Sequence, residues 1–149
     1  MRDVAIIEGA RTPFGRAHKG SLVQTRPEDL GAAAVRAAIE RSQIDPDSIE
    51  DLAMGCAMPE GSQGLNVARA VGFLAGLSHT VPAYTVNRFC ASGLQTVASV
   101  AARIAIGEID TAVAGGVESM TAVPMGGFHP QMHPRLAVDY PEAYIGMGN

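Results

Sequence analysis

Short apolar runs along this chain alternate with longer stretches in which apolar residues recur every three or four positions. The first run, Val4-Ala5-Ile6-Ile7, is partly β-branched and is stopped by Gly9, the pattern of a buried strand. The segment RTPFGR then reads as a loop punctuated by Pro13 and Gly15. Thr25 to Glu28 has the form of a capping box, with Pro27 tolerated in the first helical turn. Behind it, Leu30, Ala34 and Ala38 repeat at helical spacing beside Val35 and Ile39, predicting a helix to about Arg41. DPDS breaks the pattern, and IEDLAMGCAM follows as a second strand. Val67, Val71, Leu74 and Ala75 mark a second helix, Val81 to Val86 a third strand and Ala91 to Ile106 a third helix. TAVAGGVES closes the series as a fourth strand ending in a glycine pair.

The order βαβαβαβ argues for an α/β layer built on a mostly parallel sheet with helices on both faces. From Met120 onward the periodicity stops. The remaining residues contain four prolines, four glycines and no clear period. A structureless run of that length inside one compact domain is unusual, so residues 1–119 are expected to form one unit and residues 120–149 to begin a second, functional region. With no closing element after Asn149, the chain is expected to be the front part of a longer protein.

Composition narrows the function classes. At 149 residues and 47% hydrophobic content the chain is long and apolar enough for a real core. Its net charge of −4 and scattered basic residues lack the electrostatic footprint of a nucleic-acid or anionic-lipid binder. The N-terminal apolar run is too short for a signal peptide, and no apolar stretch approaches membrane-spanning length. Two cysteines, Cys56 and Cys90, make no disulfide framework. A soluble protein of a reducing compartment, the cytoplasm, is expected.

In such a compartment a thiol can do chemistry, and Cys90 stands where the third strand hands over to the third helix. There it meets the positive end of the helix dipole and the unpaired amides of the first turn, both of which favour thiolate. Ala91, Ser92 and Gly93 are small, so a substrate can approach the sulfur, and first-turn amides can stabilise an oxyanion. The helix behind it carries one charge, Arg103, between Ala91 and Gly107; a helix apolar on most sides is buried and would hold a nucleophile rigidly. Cysteines outside disulfides are also common small core hydrophobes, and Cys56, flanked by apolar residues in a strand, fits that description.

The stretch NRFCASGLQTVASVAARIAIGEIDTAVAGGVESM closely resembles the thiolase signature around the acyl-accepting cysteine. EGARTPFG, VNRFCASGLQ, AGGVESM and YIGMGN match the family in order, and the blocks look most like its degradative 3-ketoacyl-CoA branch. The resemblance implies an enzyme of two similar βαβαβαββ halves with an inserted loop domain for coenzyme A. This chain would be an incomplete first half, its last strand missing, with the loop domain starting near residue 120. It implies Cys90 as catalytic nucleophile in ping-pong acyl transfer between acyl-CoA and CoA, and Met147 as a substrate-binding residue of the acyl and pantetheine pocket. It implies no cofactor, coenzyme A being a substrate, and no metal. A homodimer or dimer of dimers is implied for the full-length form, with Asn87 and Arg88 near the dimer interface. The family's histidine, its asparagine or histidine and its second cysteine lie in the second half, and no segment here matches them. The chain alone is therefore expected to be inactive, and to expose apolar surface and aggregate.

Other residues carry less. His129 and His133 are four apart, but Pro130 and Pro134 argue against a helix and for a surface loop. His18 and His79 receive no role. Gly115 and Gly116 fit either a tight turn or a close approach of backbone to the cysteine. Two competing readings remain: another condensing enzyme of the superfamily, such as a ketoacyl synthase, and a non-catalytic relative that binds acyl-CoA.

Overall fold

A computed structural model describes residues 1–146. Three strands, β1 (Asp51–Gly55), β2 (Ala83–Val86) and β3 (Ala112–Gly116), form a parallel sheet in the order β2-β1-β3. Three main helices accompany them: α1 (Pro27–Ser42), α2 (Val67–Ala75) and α3 (Ser92–Ile106). The α/β expectation holds for this sheet and its connecting helices.

β1 lies at the centre and is buried over its whole length. Its side chains alternate between the two faces, as a strand requires. Leu52 and Met54 point to α1 and α2, where Gly31 and Gly72 leave room for the helices to approach. Asp51 and Gly55 face α3, where Asp51 forms an ion pair with Arg103. The core is thus apolar on the α1/α2 side, around Leu52, Met54, Val67 and Val71. On the α3 side small residues let the helix come close. Full burial of each large aliphatic side chain contributes about 1.5–3 kcal/mol.

Several local expectations are corrected. The N-terminal run Val4–Ile7 is not a strand; it is exposed, with Ile6 82% accessible. The segment is tied down instead by Arg2 N–H to the Ala105 carbonyl (2.9 Å), by an Arg2–Asp110 ion pair and by Arg41 to the Gly9 carbonyl (3.2 Å). A groove of about 300 Å³ separates it from the outer edge of β3, floored and roofed by α1 and α3. An apolar run pairs only where an edge lies within hydrogen-bonding reach, and here the groove intervenes.

Thr25 does not cap α1. Arg26 holds the N-cap position and its guanidinium pairs with Glu28, whose side chain therefore does not complete the box. Beyond Met120 the chain is not wholly shapeless. A short helix, α4 (Pro134–Asp139), starts at Pro134 itself, the first-turn position at which proline costs no hydrogen bond. Before it, Val123 is fully buried, Phe128 lies against Gly61, and the Phe128 N–H donates to Glu60 (2.7 Å).

By length and composition Phe89–Ile106 could cross a membrane, contrary to the sequence expectation that no stretch approaches that length. In the fold this segment contains the sheet-packing helix α3, with Thr96 and Val100 buried and Arg103 ion-paired to Asp51. It is not buried all round, as its composition predicted. Leu94 and Ile106, 74% and 72% exposed, lie on an outer face with Ala98 and Ala102.

Candidate active site

All three strands run in one direction, so their carboxyl ends, Gly55, Val86 and Gly116, share one edge of the sheet. The chain runs from β1 to β2 on one side and back across β1 to β3 on the other. An open α/β sheet has its ligand crevice at such a switch, outside the carboxyl ends. Cys90 lies at this edge.

The strand does not hand over to the helix directly. β2 ends at Val86, Asn87–Ala91 form a loop, and Ala91 takes the N-cap position of α3. Cys90 is exposed on this loop. The residue before it, Phe89, has φ +46°, a left-handed conformation that costs a bulky side chain free energy unless its surroundings enforce it. They do so from both sides. The Asn87 Oδ1 accepts from the Phe89 N–H (2.9 Å), and the Ser92 N–H (3.0 Å) and Oγ (2.5 Å) both donate to the Phe89 carbonyl. Ser92 Oγ also accepts from the Arg88 N–H (2.8 Å), so one buried hydroxyl closes the loop from 88 to 92. Since the Ser92 amide is taken by Phe89, it is not among the first-turn donors that sequence alone offered to an oxyanion.

Glycines set how close this loop comes to the sheet. A Cβ on Gly55 would lie 2.4 Å from the Ser92 carbonyl carbon and 2.5 Å from the Gly93 nitrogen. A Cβ on Gly116 would meet Gly93 Cα and the Gly55 carbonyl, each at 3.3 Å. Gly55, Gly93 and Gly116 therefore let the start of α3 rest on the ends of β1 and β3. Gly116 does make a close backbone approach, but the partners that the structure gives it are Gly93 at the start of α3 and the Gly55 carbonyl, not the cysteine expected from the sequence. Thr96 Oγ1, 2.7 Å from the Gly93 carbonyl and 2.9 Å from that of Gly115, stitches the same contact.

Cys56 is the opposite kind of thiol. It sits one residue past β1 rather than within it, is buried, and its Sγ lies 3.7 Å from Glu118. Burial first, and then the Glu118 carboxylate, push its pKa up to about 12, so it stays protonated and inert near neutrality.

The Glu118 cluster was not foreseen as part of the site. Its carboxylate accepts from the Ala57 N–H (2.6 Å), the Met58 N–H (3.3 Å) and Gln63 Nε2 (2.7 Å). Fully buried Gln63 also donates to the Met58 carbonyl (2.8 Å) and accepts from the Ser119 N–H. The only sequence signal for it was an acidic residue placed directly after a strand in AGGVESM.

Met147 lies outside the described residues. His129 and His133 are exposed before α4; the His133 N–H donates to Tyr144 Oη (2.9 Å). His18 and His79 are exposed.

Comparison with known proteins agrees with this architecture. The family model described as "Thiolase, N-terminal domain" matches residues 4–142. A 3-ketoacyl-CoA thiolase of Bacillus subtilis (strain 168) is 52% identical over 149 residues, covering 100% of this chain and 38% of the relative. The peroxisomal 3-ketoacyl-CoA thiolase 5 of Arabidopsis thaliana is 41% identical over 143 residues, 95% of this chain and 31% of its own. The crystal structure of the Bacillus anthracis acetyl-CoA acetyltransferase superposes with a TM-score of 0.75 at 32% identity, over 80% of this chain and 30% of that one. The chain thus spans well under half the length of the relatives it matches.

Proposed function

The chain belongs to the thiolase family, and from that premise we propose that it carries the nucleophile-bearing N-terminal domain of an acyl-CoA acyltransferase that cleaves 3-ketoacyl-CoA. One observation carries the reading. Cys90, the exposed thiol of the pair, is held at the carboxyl edge of the sheet and the N-terminal end of α3 by a strained, fully braced loop.

In this reading the Cys90 thiolate adds to the 3-keto carbonyl. The tetrahedral oxyanion then collapses and the bond between the α- and β-carbons breaks. Its electron pair passes to the α-carbon, which takes a proton and leaves as acetyl-CoA. The shortened acyl group remains as a thioester on Cys90 until the thiolate of free CoA displaces the sulfur. Splitting one difficult exchange into two thioester steps is the general advantage of a covalent intermediate. The reverse sequence is Claisen condensation. The α3 N-terminus supplies the field that favours negative charge beside the sulfur.

The group that activates the thiol, the second oxyanion site and the proton-shuttling cysteine are assigned to sequence beyond this domain. Cys56 does not replace that cysteine, because its buried thiol stays protonated. Residues from about 120 to 149, with Met147 among them, are assigned to the start of the coenzyme A loop domain. The groove between β3 and the N-terminal segment, open on two backbone edges, is the place proposed for the strand that completes this half. Cytoplasmic location and assembly as a dimer or dimer of dimers belong to the same reading.

The test is intact mass after incubation with acetoacetyl-CoA, with fragmentation to place any adduct. An acetyl group on Cys90 is expected in the full-length protein, which supplies the activating groups. Turnover by the 149-residue chain is expected to be negligible. An adduct on Cys56 would overturn the assignment of the nucleophile, and normal thiolysis by this chain would overturn the division of labour. Tight acyl-CoA binding with no adduct would favour the non-catalytic reading.

A further inference from the structure

Three segments far apart in sequence meet behind the nucleophile loop. The Glu118 carboxylate, just past β3, gathers the backbone N–H groups of Ala57 and Met58, just past β1. The carbonyl of that same Ala57 accepts from Asn87 Nδ2 (3.0 Å), just past β2. The other end of the Asn87 side chain accepts from the N–H of Phe89, the left-handed residue adjoining Cys90. Asn87 thus has one amide end on the sheet and the other on the loop. Gln63, fully buried, locks Glu118 and Met58 together from below.

We propose that Glu118 and Asn87 are positioning residues for Cys90, forming a relay through the Ala57 peptide that holds Phe89 in its left-handed conformation and so aims the thiol. The inference rests on Cys90 being the acyl acceptor. The geometry favours aiming over mere stability for a specific reason. Asn87 is exposed, and of its two side-chain hydrogen bonds one ends on the loop that bears the nucleophile and the other on the Ala57 carbonyl just past β1. A left-handed aromatic residue costs free energy that the fold as a whole does not need to spend; bonds that enforce it are most useful where orientation matters. Glu118 acts one step further back. It orients the peptide whose carbonyl faces Asn87, because the N–H of that same peptide, on Met58, and the preceding N–H, on Ala57, both donate to the Glu118 carboxylate.

The relay separates two properties of the thiol. Attack on a bound thioester substrate demands an aligned sulfur, and a displacement near 1 Å can cost about a hundredfold in rate. Alkylation by a small, freely diffusing electrophile demands only access. The experiment uses the full-length protein and three readouts: Cys90 acylation by acetoacetyl-CoA followed by mass, Cys90 alkylation by iodoacetamide, and the thermal melt. Asn87→Ala and Glu118→Gln are each expected to slow acylation about tenfold or more, with alkylation changed less than about twofold. Asn87→Asp keeps an acceptor for Phe89 but loses the donor to Ala57, and is expected to be as slow as Asn87→Ala. The double variant Asn87→Ala/Glu118→Gln is expected to be no slower than the worse single variant, because both break one relay.

Should Glu118→Gln prove too unstable to assay, Asn87→Ala and Asn87→Asp, both at an exposed position, decide the matter. Acylation and alkylation slowed in equal proportion, or effects of the two single variants that multiply in the double, would overturn the relay. So would Asn87→Asp acylated at the wild-type rate. Wild-type acylation at Cys90 with no slowing in any variant would overturn the relay and leave the acyltransferase reading standing. A wild-type full-length protein alkylated at Cys90 but never acylated would overturn both.

Discussion

Replacing Gly55 by alanine would put a methyl group 2.4 Å from the Ser92 carbonyl carbon, 2.5 Å from the Gly93 nitrogen and 2.7 Å from the Ser92 Cβ. Two of these neighbours are backbone at the start of α3, not the flexible end of a side chain. Ordinary contact begins at 3.4 Å, so the helix start has to retreat by about 1 Å. Gly55 itself is tied on both sides, in register with Val86 and Gly116, and has little freedom to move away. Overpacking of this kind costs about 1–3 kcal/mol. For a chain of this size that corresponds to a fall in melting temperature of about 3–10 °C. The same retreat moves the loop from 88 to 92, because Ser92 closes it, and Cys90 acylation is expected to slow by up to about a hundredfold. The assay is a thermal melt of the chain beside a mass-detected acylation time course in the full-length protein. Gly9→Ala is the control, since a Cβ there meets nothing within 4 Å. A Gly55→Ala chain that melts within about 1 °C of wild type and acylates at the wild-type rate would refute the close-approach argument.

Three further outcomes follow from the titration and ion-pair geometry. Iodoacetamide near pH 8 is expected to label Cys90 and spare Cys56 until the chain unfolds; prompt double labelling of the native chain would contradict the burial of Cys56. Folding raises the Cys56 pKa from its ordinary 9.0 to about 12, so the folded state holds this proton more tightly than the unfolded state. The associated stability is complete below pH 9 and is lost as pH rises toward 12. Urea midpoints are therefore expected to fall across that window more steeply in wild type than in Cys56→Ala, and parallel slopes would exclude the effect. Arg103→Met removes the cation facing the Asp51 carboxylate, whose side chain is 5% exposed. The expected cost is about 3 kcal/mol in urea unfolding, partly regained in Asp51→Asn/Arg103→Met; a loss below about 1 kcal/mol would show that the pair is not an essential buried contact.

Much of the candidate site is legible in the residues alone. Helical spacing locates α1, α2 and α3, and the compact apolar runs locate the three paired strands, because both signals are properties of the local backbone. The placement of Cys90 between a β-strand and an apolar helix, and its surrounding block, point to the family. The relay from Glu118 to Asn87 is not legible. Its two long-range bonds span 61 and 30 residues, and no local pattern says which peptide a carboxylate will face. Val4–Ile7 shows the same limit from the other side. Its residues read as a strand, but strand formation needs a neighbouring edge, and a groove lies where that edge would be.

By itself, then, the sequence determined the type and order of most elements and the chemistry that Cys90 can offer. Only the tertiary structure decided the register that brings Gly55, Gly93 and Gly116 together and the Glu118 carboxylate that stands beside the buried Cys56. It also decided the bracing of Phe89. Periodicity is set by how each residue follows its neighbours along the chain, whereas contacts, burial and hydrogen-bond partners are set by which distant segments the packed sheet brings within a few ångströms of one another.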